Sequence, residues 1–258
     1  MEPRETLRPL RPLRPTSNPL GGPIVHFDVT GSTNDRARAL VLAGAPDGTL
    51  VLAEEQTAGR GRQGRIWSAP RGRSLTLSIV LRHQAEAIDL LPLGSALAVC
   101  EACEQVASVH CEIKWPNDVW IDARKLAGIL IESRPRERWA VLGIGVNVDT
   151  SAEELAPELR AVATSLRIAT GEPVDRGRVL EALVARLADM RTRSREQILS
   201  ALRERDALYG RRIAWSSGGR DREGEARGID DDGRLVVFDE GGGRLALDAG
   251  EVHLLPDR

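Results

Sequence analysis

The sequence predicts an α+β protein: a mixed sheet with helices packed on it, followed by a small all-β module. Three observations carry this. At 258 residues, 41% hydrophobic and 29% charged, the chain can bury a core as one large domain or a domain plus an appendage. Residues 59–65, GRGRQGR, have the spacing G-x-G-x-x-G of a dinucleotide loop, which requires a helix at the third glycine. Here Pro70 and Gly72 forbid that helix and an alternating segment, SLTLSIVLR, follows, so the loop joins two strands and the doubly wound reading fails. From Gly210 the texture changes to short strands separated by SGGRD, DDDG and EGGG.

Element by element, RETLRPLRPLRPTSNP repeats Leu-Arg-Pro; proline at every third position blocks helix and ladder, so residues 1–20 are expected as a loose arm. Order is expected from Gly21, with PIVHFDVT as a strand. A helix then starts at Ser32, the expected N-cap with an acidic residue three later, and runs to Gly44. Strands follow at about 49–54 and 74–82, and a helix at about 92–107. CEIKW, DVWI and LAGILIES are extended, with a turn at Asp122-Ala123-Arg124. WAVLGIGVNV is long, apolar and glycine-broken, as a buried strand beside a ligand is. Val179, Leu180, Leu183, Val184, Leu187 and Met190 form the apolar stripe of a helix, and another covers about 194–208. RRIAWSS, EARGID, RLVVFDE, RLALDA and EVHLLP are the strands of the terminal module, which is too small to bury much alone. The expected domains are therefore 21–208 and 209–258, after the arm.

Net charge is −2, so no global basic field points to nucleic acid, and a single Arg-Gly loop between strands is unlike a repeated RNA-binding tract. No DNA partner is expected. No apolar run reaches transmembrane length and no secretory signal is present, so no membrane association is expected. Three cysteines, an odd number without an export signal, read as reduced thiols in a cytoplasm. Cys100-x2-Cys103 with His110-Cys111 has the outline of a zinc site. However, the first pair sits on a helix with small buried residues, and His110 and Cys111 should face opposite ways.

Of 36 basic residues only Lys114 and Lys125 are lysine, and both fall within KWPNDVWIDARK. Lysine and arginine are not interchangeable at constrained sites, so two places need a compact ammonium. Three of the four asparagines, Asn34, Asn117 and Asn147, sit in GSTN, WPND and GVNV, where an amide serves either a turn or a ligand.

Together GSTN (31–34), EQTAGRGRQGRIW (55–67), KWPNDV (114–119), RKLAGILIE (124–132), GIGVNV (143–148) and ATSL (163–166) resemble the biotin protein ligase family. The order and spacing match from about residue 24 to the end. The resemblance implies a catalytic domain like class II synthetases, an SH3-like barrel after it, and the family form without a DNA-binding domain. It also implies a two-step ATP-dependent reaction: biotin and ATP give biotinyl-5′-AMP and pyrophosphate, and the biotin then passes to a lysine of a biotin carboxyl carrier protein. Gathering a carboxylate and a triphosphate needs fixed cations and Mg²⁺, which Arg60, Arg62 and Arg65 suit among glycines. The same arginines should repel one another when no ligand is bound.

By resemblance Ser32, Thr33, Asn34, Gln56, Arg60, Gly61, Arg62, Trp67, Lys125 and Gly128 bind biotin, the polar ones having groups complementary to its ureido ring. Arg60, Arg62, Arg65, Trp67, Lys114, Asn117, Asp118 and Asn147 are implied for ATP. Lys125 would hold a point charge on the reacting carboxylate and α-phosphate, with Arg62 and Asp118 also catalytic. Asp118 either binds Mg²⁺ or takes the acceptor lysine's proton. Lys114 and Asn117 either hold nucleotide or shape the turn. No aromatic occurs in 149–170, so the adenine's stacking partner is open. A homodimer is compatible with the sequence, which fixes no oligomeric state. A lipoate or octanoate transferase is the neighbouring reading, and would want a greasier pocket without the arginine loop.

Overall fold

In the computed structural model, residues 13, 17–82, 90–217, 220–248, 250 and 252–255 are described. The first half holds β1 (Ile24–Thr30), α1 (Thr33–Leu42), β2 (Leu50–Gln56), β3 (Ser74–Arg82), α2 (Leu91–Val106), β4 (Glu112–Lys114), β5 (Asp118–Ile121), β6 (Arg124–Arg134) and β7 (Trp139–Asn147). The second half continues with α3 (Leu166–Thr170), α4 (Arg176–Met190) and α5 (Arg195–Arg203). It ends with β8 (Arg212–Ser217), β9 (Arg220–Ile229), β10 (Leu235–Asp239), β11 (Arg244–Leu247) and β12 (Val252–Leu254). Strands 1–7 form one sheet in the order β1-β2-β3-β7-β6-β5-β4, and β8–β12 form another in the order β11-β10-β9-β8-β12. Among the described strands only β1 and β2 pair in parallel, which makes the first sheet mixed; the pairs of the second are antiparallel. No helix among the described residues is long and apolar enough to cross a membrane.

The alternation in SLTLSIVLR decides what each sheet face does. Leu75, Leu77, Ile79 and Leu81 enter the main core, as do Leu142, Ile144 and Val146 from β7. There they meet α2 and α4, including Leu97, Cys100, Leu180 and Leu183. Each such leucine, fully buried, contributes roughly 1.5–3 kcal/mol. Side chains of the opposite parity are Ser74, Thr76 and Ser78 on β3 and Gly143, Gly145 and Asn147 on β7, paired across the strands. Helix α1 covers one end of that face, packing Ala37 and Val41 on Val51, Val80, Trp139 and Val141. The small and polar remainder is left as a trough.

Several expectations are corrected. Ser32 has the extended backbone of an N-cap, but its side chain makes no capping bond. Gln56 Oε1 accepts from the N–H of Thr33, the first helical residue, at 2.7 Å, and Asp35 turns to Arg38 and Arg60. Strand β9 begins at Arg220, inside the segment read as a turn, and the short α3, capped by Ser165, was not foreseen. Most of the expected loose arm lies outside the described residues, but Leu13 is buried and its N–H donates to Glu54 Oε1 at 2.9 Å. The other Glu54 oxygen holds the buried Arg176 at 2.9 Å. An apolar side chain and a satisfied amide are enough to anchor the chain there despite its prolines.

Cys100, Cys103 and Cys111 are free and buried, with Cys111 in hydrogen-bonding reach of the other two. His110 points outward, 73% exposed at its side chain. The small module leans on the main domain as its size requires. One core runs from the first sheet into Ile213, Trp215, Ala226, Leu235 and Val252, and Trp115 Nε1 donates to the Gly233 carbonyl at 3.0 Å.

Candidate active site

Two cavities open side by side over the trough. The smaller, about 50 Å³, is lined by Ser32, Thr33, Asn34, Gln56, Arg60, Trp67, Gly128, Gly143 and Gly145 among others. The larger, about 290 Å³, is lined by Arg65, Ile66, Lys114, Asp118, Asn147, Leu155, Leu159, Val162, Gly250 and their neighbours. Gly61, Arg62, Trp67, Asn117 and Lys125 line both. The fold thus gathers every site residue read from the sequence around one divided cleft.

The small cavity is built on the trough. The break at Gly31 and the start of α1 carry Ser32, Thr33 and Asn34 over β3, and all three are buried. Ser78 Oγ sits 2.6 Å from Asn34 Oδ1 and 2.8 Å from Thr33 Oγ1. Asn34 Nδ2 donates to Glu132 Oε2 at 2.9 Å. Gly143 is required here, because a Cβ would overlap the Asn34 amide, and one at Gly145 would overlap the Trp67 indole. Trp67 therefore forms a wall, lying on Gly145 and near Gly128, and its indole N–H is buried with no partner among the described residues.

The loop is not a set of unanswered charges. Arg60 pairs with Asp35 at 2.8 Å and Glu132 at 3.1 Å, which corrects the expectation of mutual repulsion at that position. Residues 61–65 form a tight turn closed by Gly61 N–H to the Arg65 carbonyl at 2.7 Å, with Gln63 and Gly64 at positive φ. Arg62 crosses the divide, donating to Asn117 Oδ1 at 2.6 Å and to the Gly250 carbonyl of the small module at 3.4 Å. Burial holds its guanidinium below its ordinary range, against the pull of Asp118.

The β4–β5–β6 meander supplies the remaining charges. The β5–β6 turn at Asp122 and Ala123, both at positive φ, sets Lys125 opposite Trp120, and Lys125 Nζ reaches Asp118 Oδ1 at 2.7 Å. Asn117 Nδ2 donates to the Ile129 carbonyl at 3.0 Å, so this amide shapes the turn and steers Arg62 at once. Lys114 lies over the Trp120 ring, 5.0 Å from its centre. Burial, with Lys125 and Arg65 nearby, pushes its ammonium down. Asn147 is 7% exposed; Nδ2 donates to the Thr164 carbonyl at 3.0 Å and Oδ1 lies 3.4 Å from Ser74 Oγ. It lines the large cavity, but its amide chiefly ties β7 to the segment before α3.

Sequence reasoning passed over Ser78, Glu132 and Asp35. The first was legible as the polar half of the β3 alternation. Glu132 sits inside a quoted motif and Asp35 is legible only as the acidic residue of the helix start; nothing in the spacing shows that they converge on Arg60.

Residues 26–149 match the Biotin/lipoate A/B protein ligase family, and residues 209–255 match the Biotin protein ligase C terminal domain. Bifunctional ligase/repressor BirA of Bacillus spizizenii is 38% identical over 170 residues, 64% of this chain. The match spans 52% of that relative, about half its length. Biotin--[acetyl-CoA-carboxylase] ligase of Mycobacterium tuberculosis is 39% identical over 238 residues, covering 87% of this chain and 86% of the relative. A solved structure of the Aquifex aeolicus biotin protein ligase in complex with biotin and ATP has a TM-score of 0.80 at 27% identity, covering 91% of this chain and 99% of that one. The chain belongs to the biotin protein ligase family.

Proposed function

We propose that the chain is an ATP-dependent biotin protein ligase, forming biotinyl-5′-AMP and transferring biotin to a lysine of a biotin carboxyl carrier protein. One observation carries the reading: a polar cavity and a cationic cleft share Lys125, Arg62 and Asn117. A carboxylate entering from the first side meets a phosphate entering from the second at that shared wall. The carboxylate oxygen attacks the α-phosphorus and pyrophosphate leaves. The acceptor amine then attacks the acyl carbon, AMP leaves, and the amine's proton departs.

Ser32, Thr33, Asn34 and Gln56 would take the ureido ring, with Trp67, Gly128 and Gly145 shaping its wall and Gly61 its mouth. A floor of hydroxyls and amides suits a urea better than the aliphatic dithiolane of lipoate. Lys125 would track the charge passing from carboxylate to phosphate, and Arg62, Arg65 and Lys114 would bind the polyphosphate. Arg60, pinned by two carboxylates, orders the pocket mouth. Ile66, Leu155, Leu159 and Val162 would cover the adenine in place of an aromatic. Asn147 holds the cleft floor.

Mg²⁺ fits with Asp118, the carboxylate among the lining residues. Its Oδ1 already accepts from Lys125 and Asn117, which leaves Oδ2. One carboxylate suffices where phosphates complete the shell, and the ion would then neutralise the triphosphate. The alternative role for the same carboxylate is in the second step, where it would accept the amine's proton. Three free, buried thiols fit a reducing cytoplasm. The test is incubation with ATP, Mg²⁺ and either biotin or lipoate. Biotin-dependent pyrophosphate release, and labelling of an added carrier protein, are expected; preference for lipoate would overturn the reading.

A further inference from the structure

Counting protons along the floor of the small cavity assigns a role to Glu132. Three oxygen–oxygen contacts run in series: Asn34 Oδ1 to Ser78 Oγ at 2.6 Å, Ser78 Oγ to Thr33 Oγ1 at 2.8 Å, and Thr33 Oγ1 to Gln56 Oε1 at 3.0 Å. Each hydroxyl has one proton, so two protons serve three contacts. Both ends are fixed as acceptors. The Thr33 backbone N–H donates to Gln56 Oε1 at 2.7 Å, so that end of the amide must be oxygen. At the other end, Glu132 Oε2 lies 2.9 Å from the Asn34 amide and also accepts from Arg60 at 3.1 Å. A carboxylate only accepts, so Nδ2 of Asn34 faces Glu132 and Oδ1 faces Ser78. If Asn34 were turned over, its NH₂ would donate to Ser78 and the series would be complete.

We propose that Glu132 is a positioning residue that holds Asn34 in the orientation leaving this floor one proton short, and so makes the cavity selective for a ligand bringing an N–H donor. The floor is buried and closely packed: Ser78 is fully buried, Thr33 and Asn34 are 4% exposed, and Gly143 leaves no slack beneath the amide. Thr33, which lines the cavity, is the oxygen that presents the deficit to a ligand. The inference rests on the biotin reading and deepens it, since a cyclic urea carries N–H groups on the ring itself.

Biotin is compared with its two cyclic carbamate analogues, in which one or other ring N–H is replaced by oxygen at nearly the same size. Adenylation is followed by pyrophosphate release. Glu132→Met removes the acceptor at similar length and frees Asn34 to turn. It should raise the KM for biotin about tenfold, leave kcat and the KM for ATP within about twofold, and narrow the preference for biotin over the better carbamate about tenfold. Glu132→Gln, whose Oε1 can accept from both Arg60 and Asn34, should restore most of the preference. Should Glu132→Met not fold, Ser78→Ala tests the series from its other end, because deleting one hydroxyl also removes the deficit and should narrow the same ratio. An unmoved ratio in a folded variant, or a fall in kcat with KM unchanged, overturns the inference while the ligase reading stands. A wild-type chain that releases no pyrophosphate with biotin overturns the ligase reading itself.

Discussion

The two cavities are held together differently. The small one is made of strand and helix-start residues whose polar atoms are tied to one another, and its arginine, Arg60, is answered by Asp35 and Glu132. The large one is lined by strand ends such as Lys114, Asp118, Lys125 and Asn147, by loop residues, and by Gly250 and Val252 of the small module. Its Arg62 rests on neutral oxygens of Asn117 and Gly250, beside Arg65 and a Lys114 whose ammonium is pushed down by burial. The difference is one of preorganisation. A cavity whose charges are already matched selects by shape and donor pattern, whereas a cleft with excess positive charge waits for an anion to complete it. Lys125, on the wall between them, belongs to neither scheme alone.

The largest effect is therefore expected at that wall. Lys125→Arg keeps the charge, as 34 arginines already do elsewhere in this chain. The Lys125 ammonium, however, is 2.7 Å from Asp118, and a Cβ at Gly128 would stand only 3.1 Å from it. A wider planar guanidinium misses that position. A misplaced charge-assisted contact in a shielded site costs on the order of 3 kcal/mol, roughly a hundredfold in rate. Adenylate formation by Lys125→Arg should thus be nearly as slow as by Lys125→Ala, with an unchanged melting temperature. Near-normal turnover would remove Lys125 from the chemistry.

Next come the glycines under the small cavity. Gly143→Ala drives a methyl into the Asn34 amide, and Gly145→Ala drives one into Trp67. Overpacking a rigid site costs about 2 kcal/mol, roughly thirtyfold in an equilibrium constant. If the small cavity alone binds biotin, that factor should appear in the KM for biotin and leave the KM for ATP in place. Equal changes in both constants would mean that the cavities are not separate in function.

These glycines also mark what could be read in the chain beforehand. A glycine-broken apolar strand announces a close approach, and GIGVN was readable as such without saying what approaches. The alternation in SLTLSIVLR made the strand itself readable, but its partners β2 and β7 and their register come only from the fold. Ser32 holds the N-cap position that its pattern indicates, but its side chain makes no capping bond, and the first N–H of α1 goes to Gln56 on a distant strand. Leu13 misled: proline spacing reports backbone freedom, while anchoring depends on a carboxylate at Glu54 that folding brings near. The network joining Arg60, Asp35, Glu132 and Asn34 spans residues up to 98 apart in the chain, and no local pattern carries it.

A smaller effect is expected at Arg62, which bridges the main domain and the small module. Arg62→Gly removes the contacts to Asn117 and Gly250 together. Adenylate should still form, since Lys125, Lys114 and Arg65 remain, but the mixed anhydride loses a clamp worth about 1.4 kcal/mol, roughly tenfold in retention. Free biotinyl-AMP in the medium, and labelling of bystander lysines, should rise by about that factor. Loss of the first step without leakage would place Arg62 in the chemistry.

The smallest effect tests the large cleft's apolar side. Ile66 is 82% exposed and Val162 57% exposed, with Leu159 at 36%, and all three line the same cavity. Scattered exposed aliphatics are ordinary, but three that converge beside phosphate-binding cations look like a bed for a flat base. Covering one face of an isoleucine recovers roughly half of its full burial free energy, about 1 kcal/mol. Ile66→Ala should therefore raise the KM for ATP about fivefold, leave the KM for biotin unchanged, and spare stability, because the side chain packs on little when the cleft is empty. A nucleotide lacking the six-membered ring's apolar face should feel the substitution less than ATP does. If the KM for ATP does not move, the base lies elsewhere in the cleft and the aliphatic cluster is surface alone.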